Sequence, residues 1–342
     1  MELRQLGTTS LTVSAVGLGG NTFGPPRIDE ATSIRAIHQA DEEGVNFVDT
    51  ALGYGEGHSE RFIGKALQGG RRDHWVIATK FSIDPQREGA RNPSGGLDPV
   101  SEAMKAATIR ERELGQCDES LSKLGTDHID LYQLAGFGRT TAGTAGIEET
   151  LGALEELRAA GKVREFGTVG APAWRLAEAN QLARSSGKNG FVSAQNYYNI
   201  LRRQVEAELP ACCQSYAMSI IPFAPLAGGF LTGKYKYGEP PPPGSRGAAG
   251  SPLVKRTASE RKWEILRELE KFAAEHNRGL GELAIAWLLA NPLVASVICG
   301  ASSDEQVREN VKGATWTLTP EEKQELDALA PREGDDGAGG GA

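Results

Sequence analysis

The chain has 342 residues, 24% of them charged, with a formal net charge of -8. That acidic balance argues against a general nucleic-acid binder, which needs a basic face. No apolar run approaches the roughly 20 residues that cross a bilayer, and Met1-Glu2-Leu3-Arg4-Gln5 lacks the apolar core of a signal peptide. A cytoplasmic enzyme is therefore expected, with a small molecule as partner, neither membrane nor nucleic acid, and a homo-oligomer left open. Cys117, Cys212, Cys213 and Cys299 show no metal-ligand spacing, so they read as reduced packing residues, and no metal site is expected.

In chain order, Leu3 to Val13 reads as a β-hairpin and Val13–Gly19 as the first strand of the main sheet. Its Gly-rich end runs through Gly20 and Asn21 into Thr22-Phe23-Gly24 and not into a helix, so it is weak as a dinucleotide-binding turn. A helical pattern, Glu30–Glu43, leads to the strand Phe47–Ala51, which contains Asp49, and then to a Gly-rich loop carrying Tyr54. After the helix Glu60–Leu67, the strand Trp75–Lys80 ends in a lysine. The remaining strands are Ile129–Ala135, Glu165–Val169, Val192–Tyr197, Ser219–Pro225 and Ser296–Gly300. Helical patterns over Ile109–Leu124, Ile147–Ala159, Trp174–Ser185 and Arg203–Ser215, with a C-terminal set, alternate with them. Mostly apolar strands without strict alternation suit a parallel sheet buried on both faces. About eight such strand–helix units favour a (β/α)8 TIM barrel over an open doubly wound sheet.

Two segments interrupt the alternation. Phe81 to Val100, rich in Gly, Pro and Arg, follows the third strand, where barrel loops border a substrate. Gly238 to Pro252 follows the seventh strand and holds four consecutive prolines that favour an extended conformation. One barrel domain is expected over 1–331. The low-complexity tail over 332–342 is expected to be disordered.

If the strands carrying Asp49 and Lys80 are parallel neighbours, Asp49, Tyr54 and Lys80 meet on one rim. The lysine can then favour ionisation of the phenol, which suits a proton donor for carbonyl reduction. At these positions the chain resembles the aldo-keto reductases, in the branch with the potassium-channel β-subunits and bacterial aldo/keto reductases. The resemblance implies a reductase in which Tyr54 donates the proton, Lys80 tunes it and Asp49 holds the lysine. It implies NADPH, with NADH not excluded. It also implies that the N-terminal hairpin closes the barrel bottom and that the loop after the seventh strand folds over the cofactor.

Carried over residue by residue, the resemblance puts the nucleotide against Gly20, Asn21, Gln195, Phe223, Ala224, Pro225, Leu226, Ala227, Gly228, Lys234 and Arg246. Gly300, Ser302, Gln306, Glu309 and Asn310 complete that set near the C-terminus. Within it, Gln195 matches the residue that binds the nicotinamide amide and Phe223 the ring that stacks on it. Two departures stand out. The family strand commonly ends Leu-Tyr-Gln-Leu-His, whereas here it ends in Ala135; and Ser-Asn or Ser-Arg after the fifth strand is replaced by Val169-Gly170. Three polar groups beside the substrate thus become small or apolar, implying a reshaped pocket for a bulky ketone, aldehyde or enone such as a sugar or secondary metabolite. A nucleotide-binding regulatory protein with weak turnover, and an engineered or disabled reductase, remain the alternatives.

Overall fold

The structure, a computed structural model, describes residues 1–83, 107–137 and 143–332. Most of the Phe81–Val100 segment and nearly all of the C-terminal tail lie outside the described residues. Strands β1 (Leu3–Gln5) and β2 (Thr12–Ser14) form the antiparallel hairpin. Eight further strands close a barrel: β3 (Val16–Gly19), β4 (Phe47–Asp49), β5 (Val76–Phe81), β6 (Ile129–Ala135), β7 (Val163–Val169), β8 (Ser193–Tyr197), β9 (Ser219–Phe223) and β10 (Val297–Gly300). They pair in parallel in chain order, and β10 returns between β9 and β3. The (β/α)8 barrel expected from the alternation is what forms.

The helices lie outside. They are α1 (Glu30–Glu42), α2 (His58–Ala66), α3 (Ile109–Leu124), α4 (Thr144–Ala159), α5 (Ala173–Ser185) and α6 (Leu209–Tyr216), followed by α7 (Pro252–Thr257), α8 (Glu260–Glu275), α9 (Leu280–Leu289), α10 (Asp304–Lys312) and α11 (Pro320–Leu329). Most boundaries lie within three residues of the sequence pattern, and two of the differences have a plain local cause. The continuous helix read over Arg203–Ser215 is a short 3-10 turn, Gln204–Ala207, and then α6. Pro210 accounts for the break, because a residue without an N–H fits a helix only in its first turn. The first strand begins at Val16, since Val13 belongs to the hairpin. Among the described residues, no helix is long and apolar enough to cross a membrane.

The hairpin closes one mouth of the barrel. Leu6, Leu11 and Val13 pack with Phe47, Val76, Ala78, Leu131, Ile221, Ala295 and Ile298 in a cluster distinct from the larger core beneath the helices. Side chains alternate along each strand, so the residues two further on from Phe47, Ala78 and Leu131 point into the lumen nearer its other end. They are Asp49, Lys80 and Gln133. The lumen thus changes from apolar to polar within one layer. Space there is tight: a Cβ on Gly167 would lie 2.6 Å from Ser193 Oγ and 3.1 Å from Gln133 Cγ.

Outside the lumen, Glu113 of α3 is fully buried, and among the described residues neither carboxyl oxygen has a hydrogen-bond partner. Burial pushes its pKa well above the ordinary 4.5, Thr150 pulls the other way, and the charge of Glu149 adds to the rise. The folded protein therefore retains a proton that the unfolded chain releases above about pH 4.5. Stability from this group is complete below that pH and is lost as pH rises toward the folded pKa. Glu113→Gln does not titrate, so it should raise Tm by about 2 °C or more near pH 8. The gap should narrow near pH 5. A gap independent of pH in thermal melts would show that Glu113 is ionised in the fold.

Candidate active site

Asp49 is the last residue of β4, and the chain turns at once into the loop that carries Tyr54. Several contacts fix this loop. Ser59, in the first turn of α2, donates to Gly20 O at 2.9 Å and shares a hydrogen bond with Thr50 Oγ1 at 2.9 Å. Glu60, fully buried, accepts from Thr79 Oγ1 at 2.7 Å, tying α2 to the residue before Lys80. Burial raises the pKa of Glu60 against the opposing hydrogen bonds of Thr79 and Ser120. Gly55, next to Tyr54, has φ +56°, and a Cβ there would fall 2.1 Å from Phe23 O. Only glycine combines that backbone conformation with so close an approach.

Lys80 sits at the centre. Its Nζ donates to Asp49 Oδ2 at 2.6 Å and to Thr50 O at 2.7 Å, and lies 4.8 Å from the centroid of the Tyr54 ring. Burial pulls the ammonium pKa down, but the charges of Asp49 and Tyr54, with their hydrogen bonds, outweigh it and leave Lys80 above its ordinary 10.5. The ammonium form is therefore the one this site holds.

Asp49 in turn is held from across the lumen. Its Oδ1 accepts from Gln133 Nε2 at 2.9 Å and from Gln195 Nε2 at 2.7 Å, while Gln195 Nε2 also lies 3.2 Å from Gln133 Oε1. All three are buried. Gln133 escaped the sequence reading, although it lies two residues before Ala135 and so shares its inward phase. Gln195, matched by resemblance to a nicotinamide contact, turns its amide nitrogen toward Asp49.

The altered positions are neighbours. Ala135 pairs with Val169 in the register of β6 and β7, both are half-buried, and Gly136 N donates to Val169 O at 3.1 Å. Gly170 is exposed, with φ +69° and open space where a Cβ would be. Across the rim, the Phe223 ring stacks on Tyr197 at 5.6 Å between centroids and 19° between planes. The Arg202 guanidinium lies 4.6 Å from the Tyr197 centroid. Neither Tyr197 nor Arg202 was singled out from the sequence.

The positions matched to the nucleotide divide into two groups. Ala224 (φ 53°) and Ala227 (φ 49°) follow β9 in the left-handed region, which non-glycine residues rarely adopt. Such strain collects where backbone is shaped for a ligand, and here Asn199 Nδ2 fastens it by donating to Ala224 O at 2.9 Å. Pro225, Ala227 and Gly228 are buried, Leu226 is half-buried, and exposed Lys234 lies 5.5 Å from the Tyr235 centroid. The Pro-rich segment beyond makes turns, with Ser245 N donating to Pro242 O and Gly250 N to Gly247 O. It carries Arg246 to the end of β10, where a Cβ on Gly300 would lie 3.4 Å from Asn21 Oδ1 and 3.5 Å from Arg246 Nη2.

At the start of α10, Gln306 Oε1 accepts from Ser302 N at 2.9 Å and Ser302 Oγ at 3.0 Å. Asn310 Nδ2 reaches Gly300 O at 3.4 Å, and Glu309 is exposed. Arg308 points away from this end, bonding to Gln39 on α1. Gly20 is buried beneath the tyrosine loop, where a Cβ would lie 2.7 Å from Ser59 Oγ.

The sequence pattern of the Aldo/keto reductase family matches residues 15–331. The chain belongs to that family. It is 33% identical, over 98% of its own length and 97% of the relative's, to an uncharacterized oxidoreductase, YrpG, of Bacillus subtilis (strain 168). It is 31% identical to versiconal hemiacetal acetate reductase of Aspergillus parasiticus, covering 96% of each chain. To the NADH-specific methylglyoxal reductase of Escherichia coli (strain K12) it is also 31% identical, over 93% of this chain and 95% of that one. This aldo/keto reductase is thus an NAD(P)H-dependent oxidoreductase that acts on the carbonyl group of a small molecule. The residues present fit a dinucleotide: among the described residues the Arg246 side chain has no hydrogen bond or ion pair, and the bare backbone at Gly300 leaves a cradle beside it.

Proposed function

We propose that this aldo/keto reductase uses NADPH to reduce a ketone, aldehyde or enone of a bulky substrate, with Tyr54 as the proton donor. The observation that carries the reading is the buried Lys80 ammonium lying between the Asp49 carboxylate and the Tyr54 ring. Gln195 and Phe223 would hold the nicotinamide end, and the backbone of 224–228 with Lys234 the middle. Arg246, Asn21, Gly300, Ser302, Gln306, Glu309 and Asn310 would hold the adenosine end, with Gly20 beneath the loop. When bound, the reduced dinucleotide supplies a hydride to the substrate carbon.

Tyr54 gives its hydroxyl proton to the substrate oxygen. Lys80 stabilises the phenolate this leaves, and Asp49, clamped by Gln133 and Gln195, keeps the ammonium in place. Mixing the protein with NADPH or NADH and a panel of aldehydes, ketones and enones, while following cofactor absorbance, tests the reading. No oxidation of either nucleotide with any of them would end it. NADH is the second reading, supported by the relative named as NADH-specific.

Substrate size follows from the rim. With Ala135 and Val169 side by side, no imidazole holds a small carbonyl oxygen, and a substrate must be oriented through its own contact area. Orientation is worth several kcal/mol of barrier, so bulky cyclic ketones or enones should outperform simple aldehydes. Ala135→His should raise kcat/KM for small aldehydes by about tenfold or more and lower it for bulky substrates. An unchanged ratio between the two classes would mean that position 135 does not border the substrate.

A further inference from the structure

Two consecutive arginines follow β8 and are used in opposite ways. Arg203 is spent on the fold: it pairs with Glu206 at 2.9 Å and Asp327 at 3.1 Å and donates to Ala330 O at 2.8 Å. Arg202 is exposed, and its guanidinium lies on the Tyr197 ring, 4.6 Å from the centroid. Among the described residues that guanidinium makes no hydrogen bond or ion pair. The backbone beneath it is pinned, with Asn199 N donating to Arg202 O at 3.3 Å and Arg202 N to Asn199 O at 2.8 Å. A fixed backbone and an aromatic face restrict where the guanidinium goes and leave its N–H groups unspent.

Tyr197, Asn199 and Arg202 form one side of a cleft of about 290 Å³, its open mouth included. Leu253 and Thr257 of α7 and Lys262 of α8 form the other side. The cleft shares a wall with the barrel mouth. Tyr197 lies two residues beyond Gln195 in β8, hence in the same inward phase, and its ring stacks on Phe223. α7 packs on the backbone after β9, since a Cβ on Gly228 would lie 3.1 Å from Leu253 Cδ2.

What this cleft offers is donors. The Arg202 guanidinium is open, and among the described residues the Tyr197 hydroxyl has no partner. Asn199 spends one N–H on Ala224 O and its side-chain oxygen on Leu201 N, and keeps its other N–H. No carboxylate lines the cleft among the described residues, although the chain as a whole carries a net charge of -8. Positive charge and open donors suit a group that can only accept, a carboxylate or a phosphate.

The barrel order sets how far such a group stands from the chemistry. Around the eight strands β8 lies four from β4, so the cleft opens across the mouth from the loop that carries Tyr54. We propose that the cleft seats an acidic group at the far end of the substrate, with Arg202 as its chief partner. The substrate class is then a bulky carbonyl compound bearing a carboxylate or phosphate, a statement that rests on the reductase reading above. A small aldehyde cannot reach both sides of the mouth at once and gains nothing from Arg202.

The test is steady-state kinetics of the full-length protein on matched pairs, cyclohexanones bearing a carboxylate on tethers of increasing length, each beside its methyl ester. Wild type, Arg202→Gln and Arg202→Glu are compared. Wild type should favour the acid in kcat/KM by about three- to tenfold at the tether that spans the mouth, the size of a charge-assisted contact at a partly wet site. The preference should lie in KM, because the contact is remote from the reacting carbon, and should shrink at high salt. Arg202→Gln should bring the acid-to-ester ratio near one, and Arg202→Glu should reverse it. No preference for any acid in wild type, or equal losses for acid and ester in Arg202→Gln, would sink the proposal and leave the reductase reading standing. Calorimetric titration with NADPH checks the other source of an anion. If Arg202→Gln loses nucleotide affinity while the acid-to-ester ratio stays put, the cleft holds a cofactor phosphate and its assignment to substrate is wrong. Failure of wild type to reduce any acid or ester with either nucleotide would overturn both readings.

Discussion

Tyr54→Phe should lower turnover by about 10²–10⁴-fold, the usual range for losing a positioned general acid, with nucleotide affinity little changed. The substitution deletes one oxygen and keeps the ring that Lys80 faces at 4.8 Å. The loop should hold its course, because its anchors are Ser59 on Gly20, Thr50 on Ser59 and Glu60 on Thr79, none of which involves the phenol. A drop in rate would then report the missing proton and not a displaced backbone. The check is steady-state turnover beside a binding titration with the same nucleotide. If Tyr54→Phe keeps more than about a tenth of the wild-type rate, another group supplies the proton.

The Asp49–Lys80 pair should have the largest effect on stability. Both side chains are buried, and removing one partner strands a charge that water cannot reach. Lys80→Met leaves the Asp49 carboxylate with two amide donors and no cation, which should cost about 3–5 kcal/mol. Asp49→Asn should be comparably costly, since the buried ammonium loses its carboxylate and keeps the Thr50 carbonyl and the Tyr54 phenol. Replacing both with Asn and Met should recover much of the loss, because no buried charge remains, while activity stays absent.

The pH dependence has a definite sign. The folded pKa of Lys80 is raised above 10.5, so its stabilising contribution is complete below that pH and is lost as pH rises through the folded value. The four proteins should therefore differ across neutral pH and converge only in strong alkali. Denaturant unfolding of all four closes the cycle; additive losses in the double variant would show that the two groups are not coupled.

Much of this arrangement was legible in the sequence because it is local. Asp49 and Lys80 each close a strand, and Tyr54 follows Asp49 within one loop. Parallel pairing of β4 and β5 therefore brings them together once the barrel is assumed. The strand–helix alternation made that assumption natural, and the hairpin was visible ahead of it. What could not be read depends on closure. Gln133 and Gln195 meet Asp49 from 84 and 146 residues away, a contact made only when strands on different sides of the lumen face each other. The split before α6 was written in Pro210, but the apolar periodicity ran through it.

The two glutamines also give the lumen a handedness of hydrogen bonding. A carboxylate can only accept, so each amide must turn its nitrogen toward Asp49. Gln195 places that one nitrogen within reach of both Asp49 and the Gln133 oxygen, and its two N–H groups are thereby spent. What it can still offer a visitor is its carbonyl oxygen. Closing the barrel around one aspartate thus settles, before any ligand arrives, that a group docking on Gln195 must bring its own hydrogen: a primary amide is welcomed there, and a bare carboxylate is refused.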